Sequence, residues 1–142
     1  MKTKKRRGPS RAARELMSQR MTWMNTMARY LMDEYDGMPF GVAMERSCYA
    51  FKILWLLGMG ETYFVYIKDD GTIREARGTL NPDEIPADAY KGDGEPAQKP
   101  WPRDVYTYWD LEKEAWRSFK VSQLPTKKIF QAIENFYKGL ED

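Results

Sequence analysis

Residues 105–121 read VYTYWDLEKEAWRSFKV, two runs in which side chains of opposite character alternate, joined by Glu112, Lys113 and Glu114. Five of these seventeen residues are aromatic. Successive side chains of a strand point to opposite faces, so this alternation predicts a β-hairpin. A three-residue connection pairs Leu111 with Ala115, Trp109 with Arg117, Thr107 with Phe119, and Val105 with Val121. The odd-numbered row is the more apolar and is expected to face the core. The even row then faces outward, with Tyr106 beside Lys120, Tyr108 beside Ser118, and Trp116 nearby. Rings next to a basic group offer a surface on which nucleobases stack, at about 1–3 kcal/mol per base. If a helix covers the same row it becomes a second core, and the sequence leaves both outcomes open. Arg117, in the inner row, needs a carboxylate, a π face or an anionic ligand. Asp110, Glu75 and Trp109 are the candidates within the chain, and Arg74 and Arg77 could join it at a barrel rim.

The remaining segments limit what surrounds that hairpin. TYFVYIK and TIREARGTL flank Asp70-Gly71 and predict a first hairpin, because Asp-Gly supplies the backbone of a tight turn. Its register stays open between a two- and a three-residue turn. Residues 81–104 are rich in Pro, Gly, Asp and Lys and read as a long loop. Ser10 can cap a helix running to about Asp33, with Met17, Met21, Met24, Ala28 and Leu31 on one face, widened by Leu16, Trp23, Met27 and Tyr30. After DGMPFG, a second helix is expected over residues 40–57, with Phe40, Met44, Cys48, Phe51 and Trp55 on one side and glycines at its end. Thr126 opens a last helix to residue 140, with Ile129, Phe130, Ile133, Phe136, Tyr137 and Leu140 on one face.

The expected organisation is a basic arm over residues 1–9, a helical hairpin over 10–57, a barrel over 61–124, and a C-terminal helix over 126–140. The fold class is α+β. Four short strands cannot bury both faces of an open sheet, so the expected form is a small, partly open barrel of the SH3-like or Sm-like kind, made of antiparallel strands.

Charge and composition narrow the chemistry. A hydrophobic content of 42%, with 14% aromatic, is enough for a core. The net charge of +2 is unevenly spread: residues 1–20 carry eight basic side chains against Glu15, a net +7 that leaves −5 for the rest. The arm residues Lys4, Lys5, Arg6, Arg7 and Arg11 suit a phosphate-rich polyanion, through counterion release, or else serve as a solubilising tail. The chain has no histidine and one cysteine, Cys48, which is expected as a small core residue. Histidine-based triads and zinc sites are thereby excluded. There is no Walker or Rossmann glycine pattern and no metal-ligand spacing, so neither an enzyme nor a cofactor is expected. The apolar run FKILWLLGMG contains Lys52 and is too short to span a bilayer, and no targeting segment follows MKTKKRRG, so a cytoplasmic protein without a membrane partner is expected.

FVYIKDDGTIREARGTLNPDEIP followed by YTYWDLEKEAWRSFKV resembles an uncharacterised family of SH3-like β-barrel proteins of gut bacteria, their phages and mobile elements, over about residues 61–124. More distantly, the stretch is similar to the WYL domain, an Sm-like barrel of bacterial transcription regulators. In that domain an arginine-bearing strand, a proline, an aromatic strand and an Arg-x-Phe strand follow one another. Arg77, Pro82, Tyr106 and Arg117-Ser118-Phe119-Lys120 stand at the matching places. Val105-Tyr106-Thr107 replaces the tripeptide that names the domain, and Gln123 replaces a later arginine, which weakens a nucleotide pocket in particular. The resemblance implies binding of nucleic acid or a nucleotide-like ligand through Arg77, Arg117 and Lys120. The expected function is a non-catalytic nucleic-acid-binding or regulatory accessory module of a phage or mobile element. The alternatives are a protein-interaction or assembly module, a homo-oligomer through the Met-rich helix over residues 10–33 included, and a small-nucleotide sensor or sequestering protein.

Overall fold

The computed structural model describes residues 9–90 and 101–141. The element order is α1 (Arg11–Ser18), α2 (Arg20–Glu34), α3 (Phe40–Met59), β1 (Thr62–Ile67), β2 (Ile73–Thr79), β3 (Val105–Asp110), β4 (Ala115–Lys120) and α4 (Lys127–Glu141). The strands form one antiparallel sheet in the order β1-β2-β3-β4, preceded by helices and followed by one, an α+β arrangement as expected.

The predicted first helix is two helices. Gln19 leaves helical geometry at φ −108° and ψ 16° while its carbonyl accepts the Trp23 N–H at 2.8 Å and so starts α2. Just before the break, the Ser18 hydroxyl donates to the Glu15 carbonyl at 2.8 Å, a local bond that competes with continuing the helix. On α2 the buried residues are Trp23, Met27, Ala28 and Leu31, while Met21 is exposed. The buried face is therefore rotated from the one read in the sequence. On α3 the buried residues include Ala43, Ser47, Ala50 and Leu57, whereas Phe40 and Cys48 are exposed. The expectation of Cys48 in the core is overturned. Of the larger side chains, Phe51 is buried as expected, edge-on to Trp23 of α2 with ring centroids 5.9 Å apart.

In the first hairpin, Lys68 and Thr72 pair across a three-residue turn: the Lys68 N–H donates to the Thr72 carbonyl at 2.8 Å and the Gly71 N–H to the Lys68 carbonyl at 2.9 Å. Gly71 has φ +87°, a conformation that glycine adopts without a Cβ penalty. This turn settles the register and places Phe64, Tyr66 and Ala76 on the core face.

The second hairpin differs from expectation by one residue. Asp110 pairs with Ala115, Trp109 with Trp116, Tyr108 with Arg117, Thr107 with Ser118, Tyr106 with Phe119 and Val105 with Lys120. Its connection is four residues, 111–114, because Asp110 Oδ1 accepts the Glu112 and Lys113 N–H groups, each at 2.9 Å, and Glu114 takes φ +50°. A slip of one residue turns one strand of a pair over relative to the other: β3 presents its even row to the core, while Phe119 and the odd row of β4 face inward as read. Tyr106 and Tyr108 therefore point into the core, with Tyr108 fully buried, and their expected outward role is overturned. Phe64, Tyr66, Tyr108 and Phe119 form one ring cluster, with Phe64 and Phe119 centroids 5.5 Å apart. Fully burying such a side chain contributes roughly 1.5–3 kcal/mol.

β2 and β3 pair only at Gly78–Asp110 and Thr79–Trp109. The two hairpins thus bend about a narrow joint, and rings of β1 and β4 meet inside the curl. Gly78 permits the bend: a Cβ there would lie 2.5 Å from Tyr108 Cδ2. The segment read as a structureless loop contains two short 3-10 turns, Pro82–Glu84 and Ala87–Tyr90. Trp116 Nε1–H donates to the Ala89 carbonyl at 3.1 Å and meets the Tyr90 ring edge-on, so the second turn packs on the outer face of β4. Residues 91–100 lie outside the described residues.

Asp104 ties the helices to the sheet. It accepts the Ser122 N–H at 2.8 Å and the Ser122 hydroxyl at 2.7 Å, and it also accepts the Tyr35 hydroxyl from the end of α2.

Candidate functional site

Where the curled sheet fails to close, a groove of about 630 Å³ opens between the end of β1 and β4. Tyr66, Asp69, Trp116, Arg117, Lys120 and Gln123 are among its lining residues. β4 supplies Arg117 on the core face of the strand, at its solvent-facing end, and Lys120 on the other face. The β1–β2 turn supplies Lys68, Asp69 and Asp70.

Asp110 organises the charges. Its side chain is fully buried, and Oδ2 lies 2.5 Å from Arg74 Nη2 and 3.8 Å from Arg117 Nε. Burial disfavours the Asp110 anion, but the Lys113 N–H, the Arg74 guanidinium and the Glu112 N–H outweigh it and hold the carboxyl below the usual range. Burial likewise works against the Arg74 cation, and Asp110 and the Tyr108 hydroxyl overcome it, so Arg74 stays charged. One carboxylate thus faces two guanidiniums. Arg74 takes the close position, and Arg117, 44% exposed, keeps a positive charge turned to the groove.

Lys120 closes one end of the groove. Its Nζ lies 3.0 Å from Asp69 Oδ1, which holds the ammonium protonated to higher pH. Hydrogen bonds from Lys120 and Gln123 lower the Asp69 pKa in return. Gln123 thus holds the acid that pairs with Lys120. The ionic side chains of the groove are Lys68, Arg117 and Lys120 against Asp69 and Asp70, a small positive excess.

The sequence-derived residues divide into three groups. Trp116, Arg117 and Lys120 come together at the groove. Tyr106 and Tyr108 do not: Tyr106 is 4% exposed, beneath the Arg103 guanidinium 4.3 Å from its ring centroid, and the Tyr108 hydroxyl meets the Tyr66 hydroxyl at 3.0 Å. Burial pushes both phenols well above their ordinary pKa. Arg77 also lies apart, on the opposite face of β2 from Arg74, with Nε 3.3 Å from Glu61 Oε1. Arg11 sits on α1, paired with Glu15 at 3.1 Å. Lys4, Lys5, Arg6 and Arg7 lie outside the described residues. Sequence reasoning missed Tyr66, Lys68, Asp69 and Gln123 as groove residues, and it left Arg74 as an accessory. The register read from the sequence hid the signal for Arg74, because it set Asp110 in the outward row; a carboxylate on the inward row demands a close cation.

A second cavity, about 750 Å³, lies between α3, β1 and the start of α4, with Phe40, Met44, Cys48, Leu56, Tyr63 and Phe130 in its wall. Partial burial raises the Cys48 thiol pKa, the opposite of what an activated nucleophile needs. Among the described residues, no cluster of His, Cys, Asp or Glu could hold a metal ion, and no helix is long and apolar enough to cross a membrane.

Comparison with known proteins agrees with this geometry. A family model described as WYL_2, Sm-like SH3 beta-barrel fold, matches residues 50–125, from the middle of α3 to two residues past the 3-10 turn Val121–Gln123 that follows β4. No curated protein and no solved structure is matched. The chain, more than half of it covered by that match, belongs to the WYL_2 family of Sm-like SH3 β-barrels.

Proposed function

We propose that the protein is a non-catalytic module that binds nucleic acid, with a single strand seated in the groove between β1 and β4 and the basic arm supplying long-range attraction. The observation that carries this reading is the shared carboxylate: Asp110 pairs closely with Arg74 and leaves Arg117 cationic at the groove. An exposed guanidinium held over a fixed acid is oriented but not neutralised, which suits a phosphate oxygen. Tyr66 and Trp116 add aromatic wall. The tyrosine face suggested by the sequence plays no part, because it is core. A regulatory or accessory role for a phage or mobile element fits a module of this kind.

Salt dependence tests the division of labour. For single strands, log K falls with log salt at a slope of about −0.7 per neutralised phosphate. The arm has five cations in residues 1–9 and the groove has a small excess. Fluorescence anisotropy with a labelled oligonucleotide is expected to give a slope that shrinks by about 3 when residues 1–9 are removed. Arg117→Ala/Lys120→Ala is expected to shrink it by about 1 and to weaken binding at every salt concentration. Binding unchanged in that double variant would remove the groove from the reading.

A second reading, a pocket for a single nucleotide, is favoured by the groove volume, which lies within the range of small-molecule sites. Titration with mononucleotides separates the two, since a pocket saturates with a mononucleotide and a strand-binding groove requires length.

A further inference from the structure

The cavity between α3, β1 and the start of α4 has no role in the account so far. Along α3, Met44, Cys48, Lys52 and Leu56 follow at intervals of four residues and so share a face, which forms one wall. The floor reaches the core: Ile53, Phe64 and Pro125 line it, and all three are buried. The first turn of α4 makes another wall with Phe130, whose ring lies 5.0 Å from that of Tyr49. The Lys127 N–H donates to Glu45 Oε2 at 3.2 Å and holds that turn against α3. The volume, about 750 Å³, lies in the range of small-molecule sites. A floor set among buried side chains suits a slender apolar chain better than the flat face of another protein. The cavity shares no lining residue with the groove between β1 and β4, so it stands apart from the nucleic-acid reading.

The charges indicate what such a chain carries. Three ionic side chains line the cavity: Glu45, Lys52 and Lys127. The Glu45 carboxylate is engaged by the Lys127 N–H. Neither lysine ammonium has an ion pair among the described residues. Lys127 and Glu45 are both felt at the Cys48 thiol, where they act in opposite directions, so these charges lie at the cavity wall. An apolar cavity with a surplus of positive charge selects an anionic head on an apolar tail. We propose that this cavity binds a linear amphipathic monoanion of the fatty-acid class, its tail over Ile53 and Phe64 and its carboxylate between Lys52 and Lys127.

The chain's single cysteine supplies the reporter, because Cys48 is exposed in the cavity wall. Alkylation of Cys48 by iodoacetamide is timed on the full chain with octanoate, decanoate or dodecanoate below their micelle concentrations, and with dodecanol as the neutral control. Dodecanoate is expected to slow the reaction saturably, with affinity rising about threefold per added methylene along the series. Dodecanol should protect roughly tenfold more weakly, as for the loss of two exposed ionic contacts. Lys52→Gln/Lys127→Gln should bring dodecanoate down to the level of dodecanol and leave dodecanol unchanged. Leu56→Glu, an acid set in the wall at an exposed position, should abolish protection by dodecanoate with unchanged circular dichroism. No protection by any of the four compounds, equal protection by dodecanol and dodecanoate in the wild type, or protection that persists in both variants would each overturn the proposal.

Discussion

Replacing Asp110 with asparagine isolates the charge arrangement beneath the groove. The two side chains have the same shape, and an asparagine oxygen can keep the Glu112 and Lys113 N–H bonds that set the turn. What changes is the atom facing Arg74, where an acceptor 2.5 Å from Nη2 becomes an amide nitrogen, a donor against a donor. Breaking a buried ion pair by removing one partner costs about 3–5 kcal/mol. Arg74 is 19% exposed and has some access to water, so the lower end, about 3 kcal/mol, is expected. For a chain of this length that corresponds to a fall in melting temperature of roughly 10–15 °C. The pH dependence adds an internal control. The folded-state pKa of Asp110 is depressed, so its contribution is complete above the unfolded value of about 4 and is lost as pH falls through the folded value. The gap between wild type and Asp110→Asn, read from urea unfolding followed by tryptophan fluorescence, should be full at neutral pH and shrink below pH 4. A gap under about 1 kcal/mol at neutral pH, or one that persists undiminished into acid, would refute the buried-pair account.

Three further predictions concern the core and the sheet edges. Tyr108→Ala should cost about 3–5 kcal/mol and Tyr108→Phe about 1–2 kcal/mol, as for a buried ring whose hydroxyl meets Tyr66 and Arg74. Indifference of urea unfolding to both would return the ring to the surface. Gly78→Ala should cost about 1–3 kcal/mol, because its Cβ meets the Tyr108 ring and the Trp109 carbonyl, and melting curves check it. Tyr49→Phe removes the hydroxyl that both donates to the Val65 carbonyl and accepts the Val65 N–H, each at 3.0 Å, on the free edge of β1. Hydrogen exchange at the Val65 amide should accelerate, while that of Phe64 stays protected.

The fold was legible in the sequence wherever local chemistry was explicit. Asp70-Gly71 marked the first turn, and period-2 alternation marked all four strands. The second hairpin was misread because its left-handed residue is Glu114, where glycine or asparagine usually signals that backbone. Without that cue the loop looked one residue shorter, and the error exchanged the faces of β3 while those of β4 stood as read. Asp110 held the correction, since an aspartate at the first position of a turn binds the N–H groups that follow it. The face of α3 was misjudged for a different reason. Apolar residues surround that helix, so periodicity does not choose a side: of the face read from the sequence, Phe51 is buried while Phe40 and Cys48 are exposed. Arg117 and Lys120 were recognisable as site residues, but the groove was not. It arises from the narrow β2–β3 joint and the partners Asp69 and Gln123, which no local pattern brings together.

The most direct test of the central claim is a titration of the ¹⁵N-labelled full chain with a short single-stranded oligonucleotide, followed by amide chemical shifts. Binding in the groove predicts saturable shifts centred on Lys68, Asp69, Arg117, Ser118, Lys120 and Gln123, with the opposite face of β2 around Arg77 unmoved. Shifts confined to residues 2–7, or an absence of shifts in β4 at saturating oligonucleotide, would contradict it.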